Sequence, residues 1–292
     1  MIRSDIKVAC EHVSILGECP VWDVEAGELY WIDSLSGTLF RQQADGTLTH
    51  WTADQEIGSF ALRRSSGAVC ALRDGIYTLS FQSGAFERLA QTPNDPTCTR
   101  LNDGKCDRQG RFWVGSLTER GGHADGVLYR IGPDGSVTTV LRDIVVSNGL
   151  AFPVNGDFFY HSDSRIGRIY RVEAGADADG PYKRSLFFQT PVDVERPDGA
   201  ALDEHGCYWS ALYGGAAIAR LSPKGEEVFR IDLPTAYPTM VAFGGEGLRT
   251  LFITTARDAG MSASTENDPY AGKLLSLDVD VAGLPEPRFA GA

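Results

Sequence analysis

The chain has 292 residues, of which 42% are hydrophobic and 10% aromatic, so it can bury a sizeable core. Asp and Glu number 39 against 27 Lys and Arg, which gives a net charge of −12 at pH 7. No basic patch and no apolar run near membrane-spanning length stand out, so neither nucleic acid nor a membrane is expected as a partner.

Six strand-like segments follow one another along the chain at intervals of 40 to 50 residues. Each is rich in aromatic or β-branched residues, which favour strands. A repeat of this length with several short strands per unit is typical of a propeller or a solenoid. The segments begin after Gly27, Gly67, Gly110, Gly156, Gly206 and Gly247.

Each repeat has room for four strands. A short strand of small and polar residues, such as Ser147–Phe152, comes first, and the third strand often opens with glycine, as at Gly126. Hairpin signals such as Asp45-Gly46 and Asp134-Gly135 lead into a fourth strand. Six such repeats predict an all-β fold, a six-bladed β-propeller that occupies residues 1–292 as one domain.

The two ends of the chain are expected to complete the ring. The last repeat ends near Leu274–Val279 without a clear fourth strand, and Ile6–Glu11 precedes the first repeat without a partner. We expect Ile6–Glu11 to pair with the last blade, because this removes a free strand edge.

Cysteine usage and the N-terminus indicate a compartment. The six cysteines are widely spaced, with no Cys-x-x-Cys pair, and the N-terminus has no signal-like segment. Free thiols in a cytoplasmic protein are therefore expected, although spacing alone leaves disulfides open. The oligomeric state is left open as well.

A polar residue recurs at nearly the same position in four repeats. Asn102, Asn148 and Asp198 each lie eight residues before a repeat glycine, and Glu18 lies nine before its own. Asn-Gly and Asp-Gly pairs commonly form turns. A ring of repeats, however, brings equivalent positions together. Two carboxylates and one amide oxygen, from Glu18, Asn148 and Asp198, suit a hard divalent cation with open coordination positions.

Six short motifs occur in order along the chain: Gly17-Glu-Cys-Pro-Val-Trp22, Arg100-Leu-Asn-Asp-Gly-Lys105, Ser147-Asn-Gly-Leu150, Pro197-Asp-Gly199, Thr255-Ala-Arg-Asp258 and Phe289-Ala-Gly291. Together they resemble the senescence marker protein/gluconolactonase/regucalcin family over essentially the whole chain. The resemblance implies a six-bladed propeller with one divalent cation in the central channel. It also implies a lactonase that hydrolyses a sugar-acid lactone, an aldonolactone similar to gluconolactone, to the open-chain aldonic acid.

The resemblance implies a role for each matching residue. The metal ligands are Glu18, Asn148 and Asp198, and the ion itself is not selected among Ca²⁺, Zn²⁺, Mn²⁺, Mg²⁺ and Fe²⁺. The substrate contacts are Arg100, Asn102 and Glu119, the last in a loop, Thr118–Asp125, that is expected to form a mobile rim. Loss of the Asn102 side chain is therefore expected to impair turnover and to spare metal binding.

The chemistry of lactone opening suits these residue types. A cation can polarise the lactone carbonyl, and Asp198 is the candidate catalytic base, since a carboxylate can take a proton from the attacking water. Arg100 and Asn102 offer donors and an acceptor to a polyhydroxylated ring. The alternatives are an ion pair between blades for Arg100 and a solvated surface acid for Glu119.

Other functions remain as alternatives. The same scaffold could hydrolyse non-sugar lactones or phosphotriesters, or it could serve as a non-catalytic calcium-binding regulator. A serine triad is not expected, because there is no Gly-x-Ser-x-Gly elbow. In addition, the repeat register pairs none of the five histidines with a serine or an acid.

Overall fold

The computed structural model describes residues 2–119, 122–173, 181–257 and 265–291. Residues 120 and 121 of the predicted rim loop and Asp258 of the fifth motif lie outside these ranges. The strands of the described residues form six four-stranded antiparallel sheets, which confirms the predicted six-bladed β-propeller.

Helix is nearly absent from the described part of the chain. It is limited there to two three-residue 3₁₀ turns, Ser164–Ile166 and Glu246–Leu248. Neither these turns nor any other helix in the described ranges is long and apolar enough to cross a membrane.

The chain divides into two compact units, and each contains three of the sheets. The first unit comprises Met1–Thr52 and Asp193–Glu286, and the second comprises Ala53–Val192 and Pro287–Ala292. That residues 1–292 form one domain stays a prediction.

In the first unit, each sheet follows chain order apart from the N-terminal strand. The three sheets are β2 (Gly17–Asp23), β3 (Glu28–Asp33), β4 (Thr38–Gln42) and β5 (Leu48–Thr52); β18 (Arg196–Leu202), β19 (Tyr208–Tyr213), β20 (Ala217–Leu221) and β21 (Glu227–Asp232); and β22 (Pro238–Gly244), β23 (Thr250–Thr255), β24 (Leu274–Asp278) and β1 (Lys7–Cys10). β1 pairs antiparallel with β24, with Lys7 opposite Ser276. The predicted pairing of Ile6–Glu11 with the last blade is thus confirmed.

In the second unit, all three sheets follow chain order. They are β6 (Ile57–Leu62), β7 (Ala68–Leu72), β8 (Gly75–Leu79) and β9 (Phe86–Ala90); β10 (Thr99–Cys106), β11 (Phe112–Thr118), β12 (Gly126–Ile131) and β13 (Val137–Ile144); and β14 (Ser147–Ala151), β15 (Phe158–Asp163), β16 (Arg168–Glu173) and β17 (Lys183–Gln189). Asp134-Gly135 connects β12 to β13 as predicted, and the positive φ of Gly135, 82°, is the backbone that this turn requires.

Each unit has its own hydrophobic core. In the first unit, Trp209 is fully buried and packs in one cluster with Ile218 and Val241. In the second unit, Phe112 and Tyr129 pack with Phe289 from the last motif of the chain. The Phe289 backbone N–H also donates to the Leu62 carbonyl at 2.8 Å. The terminal motif therefore anchors the chain end in the second unit.

The cysteines carry no disulfide. All six, Cys10, Cys19, Cys70, Cys98, Cys106 and Cys207, have free thiols. This agrees with the expectation drawn from their spacing.

Candidate active site

The first strand of every blade is irregular at the position of the recurring polar residue. β2, β6, β10, β14, β18 and β22 each shift register against the neighbouring strand at this point. In β10, for example, the shift runs from Leu101 to Gly104 and contains Asn102. A β-bulge of this kind re-aims a side chain and is frequent beside active sites. The recurring residues therefore occupy a structurally distinct position in each blade.

Two residues at this position were missed by the sequence interpretation. Ser59 and Thr239 also lie eight residues before a repeat glycine, Gly67 and Gly247, and both are fully buried at their register shifts. The Ser59 hydroxyl donates to the Asn102 carbonyl at 2.7 Å, and the Thr239 hydroxyl donates to the Gly17 carbonyl. The same spacing would have identified them. Their hydrogen bonds tie neighbouring first strands together within each unit.

In the second unit, three predicted site residues form one hydrogen-bonded chain. Arg100 donates to Asn102 Oδ1 at 2.9 Å, and Asn102 Nδ2 donates to Asn148 Oδ1 at 3.0 Å. Asn148 Nδ2 then donates to the Ser164 hydroxyl at 2.8 Å. Both amides are more than nine-tenths buried. The structure thus brings together a predicted metal ligand and two predicted substrate contacts.

Glu119 directly follows β11, which pairs with the strand of Arg100, but its side chain has a different partner. Its backbone N–H donates to the Cys98 carbonyl, which places it just beyond the pairing of Arg100 with Leu117. Its carboxylate is bound at both oxygens by Arg73, at 2.6 and 2.9 Å. The side chain is 32% exposed. Glu119 is therefore a fixed, partly accessible acceptor, and Arg73 is a partner that the repeat register could not indicate.

The Arg73 guanidinium is also held by two other groups. Its Nε donates to Glu56 at 2.8 Å and its Nη1 donates to the Pro96 carbonyl at 3.0 Å. The hydrogen bonds that Arg73 donates to Glu119 and Glu56 raise the pKa of this guanidinium above its ordinary value, so it stays charged. This small network fixes the direction of the Glu119 carboxylate from the neighbouring blade.

In the first unit, Glu18 and Asp198 both act on the phenol of Tyr213. Burial raises the pKa of Tyr213, and the negative charges of Asp198 and Glu18 raise it further, whereas Arg196 opposes them. Tyr213 packs against Tyr237, with ring centroids 5.0 Å apart. Asp198 is buried and Glu18 is half-buried. Two carboxylates near one phenol make this a local concentration of negative charge.

The combination of Glu18, Asn148 and Asp198 in one site stays a prediction. No group of three His, Cys, Asp or Glu side chains in the described ranges is arranged to hold a metal ion. The predicted ligand set contains only two carboxylates, and its third ligand is an amide oxygen. The predicted ligand set is therefore not a group of three His, Cys, Asp or Glu side chains, and the absence of such groups from the described ranges does not test it.

One histidine does have a serine partner, which corrects the sequence interpretation. Ser147 Oγ lies 2.9 Å from His161 Nε2 across β14 and β15. Both side chains are fully buried, and burial lowers the pKa of His161 to about 3. His161 Nδ1 is buried without a hydrogen-bond partner, so no acid completes a triad. The pair is a structural contact that joins β14 to β15 next to Asn148.

A cavity of about 310 Å³ in the second unit lies near the other end of β10. It is lined by aromatic rings and by Asp107, which already accepts from Arg111 and from the Trp113 indole. The first unit repeats this arrangement, since Asp203 accepts from the Trp209 indole and from Arg220. The recurrence identifies these contacts as part of the blade architecture rather than as an active site.

Comparison with known proteins identifies relatives over the whole chain. The family profile described as SMP-30/Gluconolactonase/LRE-like region matches residues 16–257. A 6-deoxy-6-sulfogluconolactonase from Pseudomonas putida is 41% identical over 291 residues, which cover 99% of this chain and 100% of that protein. An L-arabinolactonase from Azospirillum brasilense is 32% identical over 94% of this chain and 92% of that protein.

A solved structure shows the same similarity in three dimensions. It is described as a calcium-binding protein, regucalcin, from Agrobacterium tumefaciens. The TM-score is 0.89 at 26% sequence identity, with 97% of this chain and 96% of that chain covered.

Proposed function

The chain belongs to the SMP-30/gluconolactonase/LRE-like family, and on that premise we propose that it is a metal-dependent lactonase that opens a sugar lactone. The observation that carries the proposal is the full-length similarity to two proteins named as sugar lactonases. The polar residues at the register shifts supply groups suited to that reaction.

The proposed cation ligands are Glu18, Asn148 and Asp198. Their donor atoms are carboxylate and amide oxygens, which suit hard divalent cations such as Ca²⁺, Mg²⁺ or Mn²⁺. Two features of the chain support the fit. The carboxylates of the first unit concentrate negative charge around Tyr213. In the second unit, the hydrogen bonds of Asn148 direct its amide nitrogen to Ser164 and leave its oxygen as the acceptor.

The proposed reaction is addition of water to the lactone carbonyl. A divalent cation, when bound, supplies Lewis acidity towards that carbonyl. Asp198 accepts the proton of the attacking water as the new carbon–oxygen bond forms. The ring carbon–oxygen bond then breaks, and the leaving oxygen takes up a proton to become a hydroxyl. The product is the open-chain hydroxy acid.

The substrate ring is proposed to contact Arg100, Asn102 and Glu119. Arg100 has five N–H groups in a rigid fork, and its Nη1 donates to Asn102 Oδ1 and to the Leu101 carbonyl. Glu119 is a carboxylate acceptor held by Arg73, and its partial exposure leaves it accessible to a sugar hydroxyl. Donors on one sheet and an acceptor next to it favour a substrate with several hydroxyl groups.

The cytoplasm is the proposed location. Thiols stay reduced in that compartment, and all six cysteines of the chain are free.

The test is a lactone panel with chelator-treated protein. The panel contains 6-deoxy-6-sulfogluconolactone, gluconolactone, arabinolactone and unsubstituted δ-valerolactone, with acid release corrected for spontaneous hydrolysis. We expect hydrolysis of at least one sugar lactone on addition of a divalent cation and much weaker activity on δ-valerolactone.

Three results would contradict the proposal. Full activity in verified metal-free protein would remove the cation from the mechanism. Tight cation binding without hydrolysis of any lactone would favour the alternative of a calcium-binding regulator. Preference for δ-valerolactone would favour the hydrolase of non-sugar lactones.

A further inference from the structure

The hydrogen bonds of Arg100, Asn102 and Asn148 run in a single direction. Arginine donates and never accepts, so the end of the Asn102 amide that faces Arg100 is the oxygen. The nitrogen of Asn102 therefore faces Asn148, which has to accept through Oδ1 at 3.0 Å. An amide alone gives no such information, because its oxygen and nitrogen have nearly the same shape. Arg100 thus determines the orientation of both amides.

The hydrogen bond at the other end of this series, between Asn148 and Ser164, agrees with this direction. Asn148 Nδ2 donates to the Ser164 hydroxyl at 2.8 Å, so a rotated Asn148 amide would exchange both of its hydrogen bonds. Asn102 Nδ2 also donates to the Ser147 carbonyl at 2.9 Å, which joins the same amide to the backbone of β14. Because both amides are buried, solvent offers little compensation for a rotated state.

We infer that Arg100, acting through Asn102, is a positioning residue that keeps the Asn148 oxygen oriented as a cation ligand. An amide oxygen has two lone pairs, and Asn102 uses one of them. The other is left for a cation. The inference rests on the proposed function, since it takes Asn148 as a ligand. It replaces the expectation that Asn102 serves the substrate alone and that its loss spares metal binding.

The inference and simple electrostatics predict different changes in cation affinity for one substitution. Arg100→Met removes a positive charge, and charge alone would leave the affinity for a cation unchanged or raise it. Loss of the orienting donor instead lets the Asn102 and Asn148 amides rotate. We expect the Kd for Mn²⁺ to rise by about three- to tenfold, the range for one lost hydrogen bond. Titration calorimetry on chelator-treated full-length protein without lactone measures it.

Two further variants separate orientation from folding. Arg100→Lys still donates to Asn102 Oδ1 and is expected to restore most of the lost affinity. Arg88→Met removes the same charge from an exposed arginine of the second unit that pairs with Asp74, and its Kd is expected to stay within about twofold of the unsubstituted value. Far-ultraviolet circular dichroism and melting of each metal-free variant identify misfolded protein.

A fourth variant, at Asn102, tests whether Arg100 acts through this amide. Asn102→Leu keeps a similar volume and cannot orient Asn148, so the Kd for Mn²⁺ is expected to rise as in Arg100→Met. The double variant should bind no more weakly than Asn102→Leu alone, because Arg100 then has no amide to orient.

Three results would overturn the inference. They are an unchanged or lower Kd in Arg100→Met, no recovery in Arg100→Lys, and additive losses in the double variant. If the unsubstituted protein bound no Mn²⁺, Ca²⁺ or Zn²⁺, the metal part of the proposed function would fail together with the inference. Normal binding in the unsubstituted protein with no effect of Arg100→Met would refute the inference alone.

Discussion

The two compact units place different chemistry at the same position of their blades. The first unit has carboxylates there, Glu18 and Asp198, and the second has amides, Asn102 and Asn148. Carboxylates supply charge and can take a proton, whichever of their two oxygens faces the site. An amide is useful as a ligand only in one orientation. The amides of the second unit accordingly form a directed hydrogen-bonded chain.

The remaining position in each unit shows what the two units have in common. Ser59 in the second unit and Thr239 in the first are fully buried and donate to a neighbouring first strand. Neither can serve as a base or as a charged ligand. The two units therefore share a structural pattern and differ in the polar groups that they place on it.

The largest effect should come from the acidic side of this comparison. Asp198→Asn keeps the shape of the side chain but removes its charge and its ability to accept a proton. We expect kcat/KM for the best sugar lactone to fall by at least about 100-fold, as for loss of a general base. Asp232→Asn, at an exposed carboxylate that ends β21, is the matched control. Retention of more than a tenth of the activity by Asp198→Asn would remove it from the catalytic role.

The second effect concerns the unit that contains the amides, and it is a dependence of the free energy of unfolding on pH. His161 takes up its proton near pH 3 in the folded protein and near pH 6.5 when unfolded. Between these values the unfolded chain binds more protons. The free energy of unfolding should therefore fall as the pH falls below about 6.5, by at most about 1.4 kcal/mol per pH unit from this residue. Above pH 6.5 the contribution is fully present.

Denaturant unfolding at several pH values measures this dependence. His161→Gln keeps a hydrogen-bonding group for Ser147 without titrating, so its free energy of unfolding should decline less steeply between pH 6.5 and pH 4. Equal slopes for the two proteins would show that His161 titrates normally. His161 would then not be held in its neutral form within β15.

A third effect tests the substrate side of the second unit. Glu119→Gln removes the charge that Arg73 binds, and we expect KM for a sugar lactone to rise by about three- to tenfold with a smaller change in kcat. Arg73→Met should raise KM similarly, and the double variant should be no worse than either, because Arg73 acts through Glu119. Initial rates over a range of lactone concentrations give both constants.

For this third effect, the matched control is a lactone without hydroxyl groups. KM for δ-valerolactone should be insensitive to Glu119→Gln. A rise of the same size for both lactones would point to a general disturbance of the blade.

The smallest effect concerns the backbone next to two of the proposed ligands. Cys19, next to Glu18, has a φ of 51°, and Gly149, next to Asn148, has a φ of 59°. A non-glycine residue in this conformation costs about 1–2 kcal/mol, and loss of the buried thiol offsets part of the gain. Cys19→Gly should therefore change the free energy of unfolding by less than about 1 kcal/mol. A loss above about 2 kcal/mol would show that packing of the Cys19 thiol outweighs the relief of backbone strain.

Much of the fold could be predicted because its strands and turns follow from the periodic pattern of nearby residues. Strands that open with glycine and hairpin signals such as Asp134-Gly135 depend only on nearby residues. Counting the strands in each repeat then showed that Ile6–Glu11 was left to pair with the last blade. The division into two compact units could not be predicted. It depends on which strands contact each other over long sequence separations.

The site could be predicted only where it follows the repeat. Spacing identified Asn102 and Asn148, and the same spacing applied fully would have identified Ser59 and Thr239. Arg73 lies outside the register, so its contact with Glu119 depends on the approach of two blades. The Ser147–His161 pair was missed for a similar reason, since it joins two strands whose pairing sequence alone does not specify residue by residue.

The central claim is that Glu18, Asn148 and Asp198 hold one catalytic cation. The most direct measurement is anomalous diffraction from crystals of the chain soaked with Mn²⁺. We predict one strong anomalous peak, coordinated by the carboxylates of Glu18 and Asp198 and by the side-chain oxygen of Asn148. A peak coordinated by other residues, or no peak at saturating Mn²⁺, would contradict the account.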